Sequence, residues 1–279
     1  MPEWVPAGEA GLRIGIFVLV LAVMAGLERL MPKRPLRAAR LGRWSTNLGL
    51  VVIDSLAVRL LVPLAAVGVA ALAADKGFGL LHWLVLPDWL AFVVALLLLD
   101  FAIWFQHLAA HKVPLLWRLH RVHHADIDID VSTALRFHPL EILASMLWKM
   151  AVVAAIGAPV SAVIAFEVIL NAMAMFNHGN VALPRPLDTV LRLLVVTPDM
   201  HRVHHSVIQA ETDSNYGFNL SLWDRLFRTY VATPEKGHDG MTIGLAEYQS
   251  EAPTRIGWSL ALPFAPGPAH GVDPAIRKS

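Results

Sequence analysis

The sequence predicts an all-helical bundle embedded in a membrane, with a histidine-rich helical cap on the cytoplasmic side. Hydrophobic residues make up 56% of the 279 residues and charged residues only 16%, against about 25% charged residues in ordinary soluble domains. Nine of the 13 histidines fall within residues 107–138 or 201–205. Histidines that served only packing would not be concentrated in this way, so the clusters need a chemical cause.

Apolar segments predict four to five membrane-embedded helices. Residues 11–30 are long enough to cross about 30 Å of hydrocarbon as a helix. Residues 46–73 and 86–108 form the second and third segments. Residues 141–178 are apolar again, but a Gly-Ala-Pro sequence at 157–159 interrupts them and predicts a tight reversal between two helices.

The basic stretch at 31–40 predicts the orientation of the bundle. Its four lysines and arginines directly follow the first apolar segment, and by the positive-inside rule they lie in the cytoplasm. The N-terminus then lies outside, and the chain returns to the cytoplasm near His107 and again near His178. We therefore expect one membrane domain over residues 1–279, in a bacterial inner membrane, with its histidine clusters facing the cytoplasm.

The composition narrows the chemistry that this domain can perform. The chain has no cysteine, which excludes disulfides, cysteine–zinc sites and iron–sulfur clusters held by the chain itself. Any redox-active metal must therefore bind to histidine, aspartate or glutamate. The net charge of +1 gives no argument for nucleic acid as a partner, and we expect none.

Three short elements place histidines at helical spacing. HLAAH at 107–111 has two histidines four residues apart, and HRVHH occurs at both 120–124 and 201–205. Residues at these spacings share one face of a helix, so their ring nitrogens can converge on a metal at about 2.0–2.1 Å. Eight imidazoles are too many for one ion and suit two. In this interpretation the Arg-Val between the histidines is incidental.

Packing alone does not explain the three elements, because buried and unpaired imidazoles are costly. Imidazole suits zinc, copper, iron and nickel alike. A zinc hydrolase of the HExxH type is not indicated, since neither motif has the glutamate. Many neutral nitrogen ligands around open positions favour redox chemistry with dioxygen. A histidine-rich membrane metal transporter and a zinc-dependent membrane hydrolase of another type remain as alternatives.

The order of the motifs resembles the fatty acid hydroxylase superfamily, also called the sterol desaturase family, whose members are membrane-bound di-iron oxygenases. The matching elements are HLAAH (107–111), HRVHH (120–124), RFHPLE (136–141), FNHGN (176–180), HRVHH (201–205) and NYGFNLSLWDRLFRTY (215–230). The resemblance covers about 90–230, which we expect to be the catalytic core.

The resemblance implies two iron ions as cofactors and dioxygen as co-substrate. The ligands that it implies are His107, His111, His120, His123, His124, His178, His201, His204 and His205. His138 matches the family's His-Pro-Leu-Glu element. It either ligates a metal or holds the cap against the membrane, and we favour the second role.

Other polar residues lie close to these histidines in the sequence. Asp100 and Asp199 could each accept a proton from the far ring nitrogen of a ligand histidine and so fix its orientation. The alternatives are an ordinary polar contact for Asp100 and helix capping for Asp199. Supporting or merely structural roles are likewise open for Asn215, Tyr216, Trp223 and Asp224.

By the same resemblance, the protein is an oxidoreductase that hydroxylates or desaturates a C–H bond of a membrane lipid, such as a fatty acyl chain, a sterol or a related isoprenoid. The metal centre carries the chemistry, and no other residue is expected to be catalytic. No segment is long enough for a flavin or haem reductase. We therefore expect a separate electron donor of the ferredoxin, rubredoxin or cytochrome type.

Overall fold

The computed structural model describes residues 8–266, and all regular secondary structure in that range is helical. Five elements are long and apolar enough to span a membrane: Glu9–Leu30, Arg40–Trp83, Asp88–Lys112, Pro139–Ile156 and Val160–Asn177. The prediction of an all-helical bundle with four to five membrane-embedded helices is therefore confirmed. Residues 1–7 and 267–279 of the expected single domain lie outside the described range.

Fourteen α-helices and four short 3-10 helices make up the described part of the chain. The α-helices are α1 (Glu9–Leu30), α2 (Arg40–Leu61), α3 (Ala65–Lys76), α4 (Leu80–Trp83), α5 (Asp88–Lys112), α6 (Pro114–His124), α7 (Pro139–Ile156), α8 (Val160–Asn177), α9 (Arg185–Leu191), α10 (Pro198–His204), α11 (Gln209–Thr212), α12 (Leu222–Leu226), α13 (Gly237–Gly240) and α14 (Ile256–Ala261). The 3-10 helices are Val131–Leu135, Ala246–Tyr248, Ala252–Thr254 and Leu262–Phe264.

The second span is not one continuous helix. α2 ends at Leu61 and α3 begins at Ala65. Pro63 lies between them and has no backbone N–H to continue the helical hydrogen bonds, and Ala65 has a φ of 48°. The second apolar segment, predicted over 46–73, is therefore built from two helices, and Pro63 is the signal in the sequence for the break.

The reversal predicted at 157–159 is confirmed. α7 ends at Ile156, α8 begins at Val160, and Gly157 has a left-handed φ of 64°. A Cβ atom on Gly157 would lie 2.7 Å from Cδ2 of His82 and 2.8 Å from the backbone oxygen of Phe78. Glycine is therefore required both by the backbone conformation and by the close approach of the segment that joins α3 to α4.

Small side chains let the helices of the bundle pack closely. Five fully buried alanines lie in the apolar core that α3, α5, α7 and α8 share: Ala66, Ala70, Ala95, Ala158 and Ala162. Small residues at such contacts allow helix backbones to approach each other in a membrane. α1 and α7 are peripheral, since only 6% of either span's residues are buried.

A network of buried hydrogen bonds joins α2 to residues 126–136, the part of the histidine-rich cap that lies between α6 and α7. The guanidinium of Arg43 donates to Asp126 at 2.7 and 2.8 Å and to Asp130 at 2.5 Å. Asn47, one turn further along α2, accepts a hydrogen bond of 3.0 Å from Arg136 of the cap. Burial alone would raise the pKa of Asp126, but the adjacent Arg43 outweighs burial and brings the pKa down to about 2.

Replacing Arg43 by methionine should unfold the cap. The substitution leaves Asp126 and Asp130 buried without their counter-charge, which costs about 3–5 kcal/mol. We expect a large fall in the midpoint of thermal unfolding of the detergent-solubilised protein, followed by tryptophan fluorescence. Arg29→Met at an exposed position of α1 is the matched control. Equal midpoints for the two variants would contradict the role of Arg43.

Candidate metal centre

Four elements deliver histidines to one place at the end of the bundle. The last turns of α5 carry His107 and His111, and the end of α6 carries three more histidines. His178 directly follows α8. α10 carries two histidines, and His205 directly follows it. All nine side chains are at most 4% exposed.

The nine histidines form two groups. One contains His107, His111, His120, His124 and His204, and the other contains His123, His178, His201 and His205. Within each group, one ring nitrogen from every residue lies within 4.8 Å of those from the others. The structure therefore brings together every histidine of the predicted ligand set, and their binding of metal remains a prediction.

The two HRVHH copies contribute to the groups in opposite ways. In the first copy, His120 and His124 belong to the five-histidine group, while His123, the fourth residue of the motif, belongs to the four-histidine group. In the second copy, His201 and His205 belong to the four-histidine group, while His204, again the fourth residue of the motif, belongs to the five-histidine group. Each copy therefore serves both groups.

Backbone carbonyls fix the orientation of several rings. The Nδ1 atom of four histidines contacts a main-chain oxygen: His107 with Tyr216, His178 with Ala174 and His204 with Ser214 at 2.7 Å, and His123 with Arg136 at 3.2 Å. A carbonyl only accepts, so Nδ1 must carry the proton and donate it. The lone pair of each ring is then on Nε2, which faces the other histidines.

These lone pairs fit a shared cation. Nε2 of His178 lies 3.1 Å from Nε2 of both His123 and His201, and the same distance separates Nε2 of His107 and His120. His178 and His123 both donate through Nδ1 to main-chain oxygens, so their two Nε2 lone pairs cannot hydrogen-bond to each other. Two nitrogens bound to one metal at about 2.1 Å and roughly at right angles would stand about 3 Å apart. The spacing therefore suits a metal ion between the rings.

Two further rings lack partners within residues 8–266. Neither ring nitrogen of His124 or of His205 has a hydrogen bond to any described residue, although both side chains are fully buried. Leaving such groups unsatisfied is costly. Their presence is explained if they bind metal.

A carboxylate supports one ring of the five-histidine group. Nδ1 of His120 lies 2.6 Å from Oε1 of Glu141, which is in the first turn of α7. The sequence reasoning missed Glu141. The available signal was its place in the RFHPLE element, where Pro139 begins a helix and puts Glu141 in the first turn.

His138 belongs to neither group. Its Nδ1 accepts from the backbone N–H of Leu140 at 3.2 Å and so caps α7, while its Nε2 lies 3.2 Å from the backbone oxygen of Leu260. These contacts agree with the favoured role of holding the cap against the membrane helices. They leave the alternative ligand role without support.

Neither predicted aspartate orients a ligand histidine. Asp100 accepts from Nε1 of Trp223 at 2.8 Å, which agrees with the alternative of an ordinary polar contact. Asp199 pairs with Arg202 and, at 2.7 Å, with Lys33. The capping alternative for Asp199 is also wrong, because the side chain of Thr197 caps α10.

The NYG and WDRLF elements hold the loop that contacts His107. Asp224 accepts from the backbone N–H groups of Tyr216 and Gly217 at 2.9 Å and from Nε1 of Trp104 at 3.0 Å. Asn215 donates to the backbone oxygen of Met200 at 2.9 Å. These contacts present the Tyr216 carbonyl to His107.

The prediction that the Arg-Val pairs inside HRVHH are incidental is wrong. Val122 and Val203 are fully buried. Arg121 donates to the backbone oxygens of Leu262 and Ala265 at 2.5 and 2.7 Å, and Arg202 pairs with Asp199. The pairs pack the histidine helices into the cap.

A cavity of about 180 Å³ reaches the five-histidine group from the membrane side. His107 and His120 form part of its wall, and Glu141 and Phe218 lie beside them. The rest of the wall comes from α5, α7 and α8, together with Ala134 of the 3-10 helix Val131–Leu135 and Phe137, which follows that helix. A molecule that occupied this cavity would touch two histidines of the predicted ligand set.

Burial keeps the cap histidines neutral. Removal from water, reinforced by neighbouring imidazoles, lowers the pKa of five of them well below the ordinary 6.5: His123, His124, His201, His204 and His205. Burial also brings the pKa of His178 down to about 4. Neutral imidazole is the form that binds metal.

The chain is similar to a family of membrane enzymes. The family model for fatty acid hydroxylase matches residues 92–229. Ornithine lipid hydroxylase OlsE of Rhizobium tropici is 28% identical over 228 residues, which cover 78% of this chain and 67% of that protein. No solved structure gives a significant match.

Alkylglycerol monooxygenases are similar over a shorter region. The Homo sapiens protein is 33% identical over 153 residues, 53% of this chain and 32% of that protein. The Xenopus tropicalis protein is 32% identical over 159 residues, 55% of this chain and 32% of that protein. The matched region thus spans about two thirds of OlsE and about a third of these monooxygenases.

The chelator-treated protein should lose stability in mild acid. Below pH 6.5, a histidine with a lowered pKa stays neutral in the folded protein but binds a proton in the unfolded chain. Its contribution to the free energy of unfolding is therefore fully present above pH 6.5. It is lost as the pH falls from 6.5 towards about 4. We expect the free energy of unfolding to fall by up to about 1.4 kcal/mol per pH unit for each such histidine. A thermal midpoint that stayed constant across this window would contradict neutral burial.

Replacing His124 by alanine should remove about one metal ion per chain, because it deletes a ring of the five-histidine group. Elemental analysis of protein purified without oxygen gives the metal content. His82→Ala at an exposed position and His138→Ala in the cap serve as controls, and both should keep the wild-type content. An unchanged metal content in the His124 variant would refute its assignment as a ligand.

Proposed function

Because the chain belongs to the fatty acid hydroxylase family through residues 92–229, we propose that it is an O₂-dependent di-iron oxidoreductase that oxidises a C–H bond of a membrane lipid. The observation that carries the proposal is the pair of buried histidine groups at one end of a bundle of candidate membrane spans. Hydroxylation is the favoured outcome, since the relatives are named a hydroxylase and monooxygenases, and desaturation is the second candidate.

We assign the nine grouped histidines as the iron ligands. When bound, the two irons supply the reduction of dioxygen and the oxidation of the C–H bond. Hydroxylation consumes one O₂, two electrons and two protons, and it yields the alcohol and water. The electrons come from a separate donor of the ferredoxin, rubredoxin or cytochrome type.

The chain's own residues orient the ligands and exclude water. Main-chain oxygens hold four rings through Nδ1 and direct Nε2 inwards, and Glu141 does the same for His120. The ring of Phe137 stacks on His123 with centroids 4.5 Å apart and planes at 4°. The ring centroids of Phe218 and His107 are 4.9 Å apart. These aromatic rings cover the membrane side of the histidines.

The membrane orientation is proposed from contacts between the basic segment and the cap. The backbone N–H groups of Lys33 and Arg34 donate to Asn180, at 3.0 Å in both cases. The basic segment and the histidine groups therefore lie on the same side of the bundle. The positive-inside rule then favours a cytoplasmic metal centre, in the inner membrane of a bacterium.

The two alternatives agree less well with the geometry. A metal transporter would place ligands along a path through the spans, whereas seven of the nine grouped histidines follow the ends of α5 and α8 rather than lie within spans. A zinc hydrolase needs one ion with three or four protein ligands. Two groups of five and four histidines exceed that need.

The proposed activity should be visible in the lipids of cells that express the gene. Lipid mass spectrometry should find species that have gained one oxygen atom or, for desaturation, lost two hydrogen atoms. His123→Ala should abolish these products because it removes a ligand, while the exposed His82→Ala should retain them. Metal flux into sealed vesicles without any oxidised lipid would support the transporter and refute the oxygenase.

A further inference from the structure

A second, larger cavity adjoins the one that reaches the metal centre. It has a volume of about 560 Å³ and is lined by residues of α1, α2, α7 and α8 and of the 3-10 helix Val131–Leu135. The two cavities share four wall residues: Ala134, Phe137, Ile142 and Asn171. The larger volume lies in the range of small-molecule and lipid sites. Its position gives a lateral route from the α1–α2 side towards His107 and His120.

Most of the wall is apolar. Phe17 of α1, Val51 and Val58 of α2 and Ile142 of α7 face the cavity. α1 and α7 are peripheral helices with few buried residues, so this side of the bundle adjoins the lipid. A hydrocarbon chain is therefore a suitable occupant of the cavity.

Asp54 is an acidic residue in this wall, which also contains the polar residues Ser55, Arg59 and Asn171. Its side chain lies on α2 and lines the cavity, and the residue is only 4% exposed. Its Oδ1 atom has no hydrogen-bond partner among residues 8–266. Within the same range no lysine, arginine or histidine lies within 4.0 Å of its carboxylate. Arg59 lines the same cavity without forming an ion pair with it. An unsatisfied carboxyl group in an apolar setting is costly and marks a functional candidate.

We propose that Asp54 accepts a hydrogen bond from the polar group of a bound lipid, a hydroxyl or an ammonium. The lipid's polar group then sits beside Asp54, while its hydrocarbon chain passes Phe137 into the smaller cavity beside His107 and His120. The inference rests on the proposed function in taking this lipid to be the substrate. Because Asp54 would accept a hydrogen bond from the bound lipid, it would make this chain selective for lipids with a hydrogen-bond donor, and it lies outside residues 92–229.

The test compares lipids that differ only in the donor. Hexadecanol is paired with hexadecyl methyl ether, and hexadecylamine is paired with hexadecyltrimethylammonium, which keeps the charge but has no N–H. Binding to the full chain in detergent is measured by native mass spectrometry and needs no turnover. The variants are Asp54→Leu, Asp54→Asn and, as a control in the same wall, Val58→Ala.

The wild type should prefer each donor lipid to its partner by about tenfold, the contribution of one buried hydrogen bond. Asp54→Leu should bind both members of each pair equally, and Val58→Ala should keep the preference. Asp54→Asn keeps an acceptor but loses the charge. If Asp54→Asn still prefers hexadecanol to its ether but no longer prefers hexadecylamine to its trimethyl partner, the binding of the ammonium group depends on the charge of Asp54. If Asp54→Asn keeps both preferences, a neutral hydrogen-bond acceptor is sufficient for both lipids. A wild-type preference that survives in Asp54→Leu overturns the inference.

Turnover separates this inference from the proposed function. The iron-loaded wild type, given dioxygen and a chemical reductant, is tested for oxidised products from the same lipids. If no product forms but the donor preference depends on Asp54, the oxygenase proposal fails and the lipid site stands. If products form and the preference does not depend on Asp54, only the present inference fails. For a positioning role, Asp54→Leu should raise KM for the donor lipids more than it lowers kcat.

Discussion

The arrangement of the cap depends on one constraint, which is that several buried imidazole lone pairs must face one another. Two Nε2 atoms 3.1 Å apart cannot satisfy each other when both rings donate through Nδ1. The chain maintains this arrangement by fixing the outer edge of each ring. Much of the cap can be understood as a scaffold that presents main-chain oxygens to Nδ1 atoms, including the Asp224 network that holds the Tyr216 carbonyl.

The crossed use of HRVHH follows from helix geometry. Positions one and five of the motif lie nearly above each other on a helix, while position four is rotated away from them. α6 and α10 therefore each present a pair of rings to one group and a single ring to the other. Neither group can form from one helix alone. The buried valines and bonded arginines of the motif keep both helices at the depth this requires.

The sequence was sufficient to predict the helical bundle, the reversal at Gly157 and eight of the nine histidines that meet, because helical spacing and apolar length are local properties. The ninth, His178, was implied only by the resemblance to the family. The division into two groups was not predictable, since it depends on how α6 and α10 face each other. The contacts of Asp100 and Asp199 also depend on tertiary packing. Asp100 pairs with Trp223, and Asp199 pairs with Lys33 in addition to the nearby Arg202; Trp223 and Lys33 are more than a hundred positions away from these aspartates. Glu141 was missed because His120 is in another helix.

The ion pairs between α2 and the cap determine which part of the chain can fold by itself. Asp126 and Asp130 lie within the family-matched stretch 92–229, yet their counter-charge is Arg43. Arg136 also depends on residues outside that stretch, since it donates to Asn47 and to Ser259. The stretch that matches the family model therefore does not coincide with a part of the chain that could fold by itself. An excised core would carry buried charges whose partners had been cut away, so the flanking helices are part of the same cooperative structure.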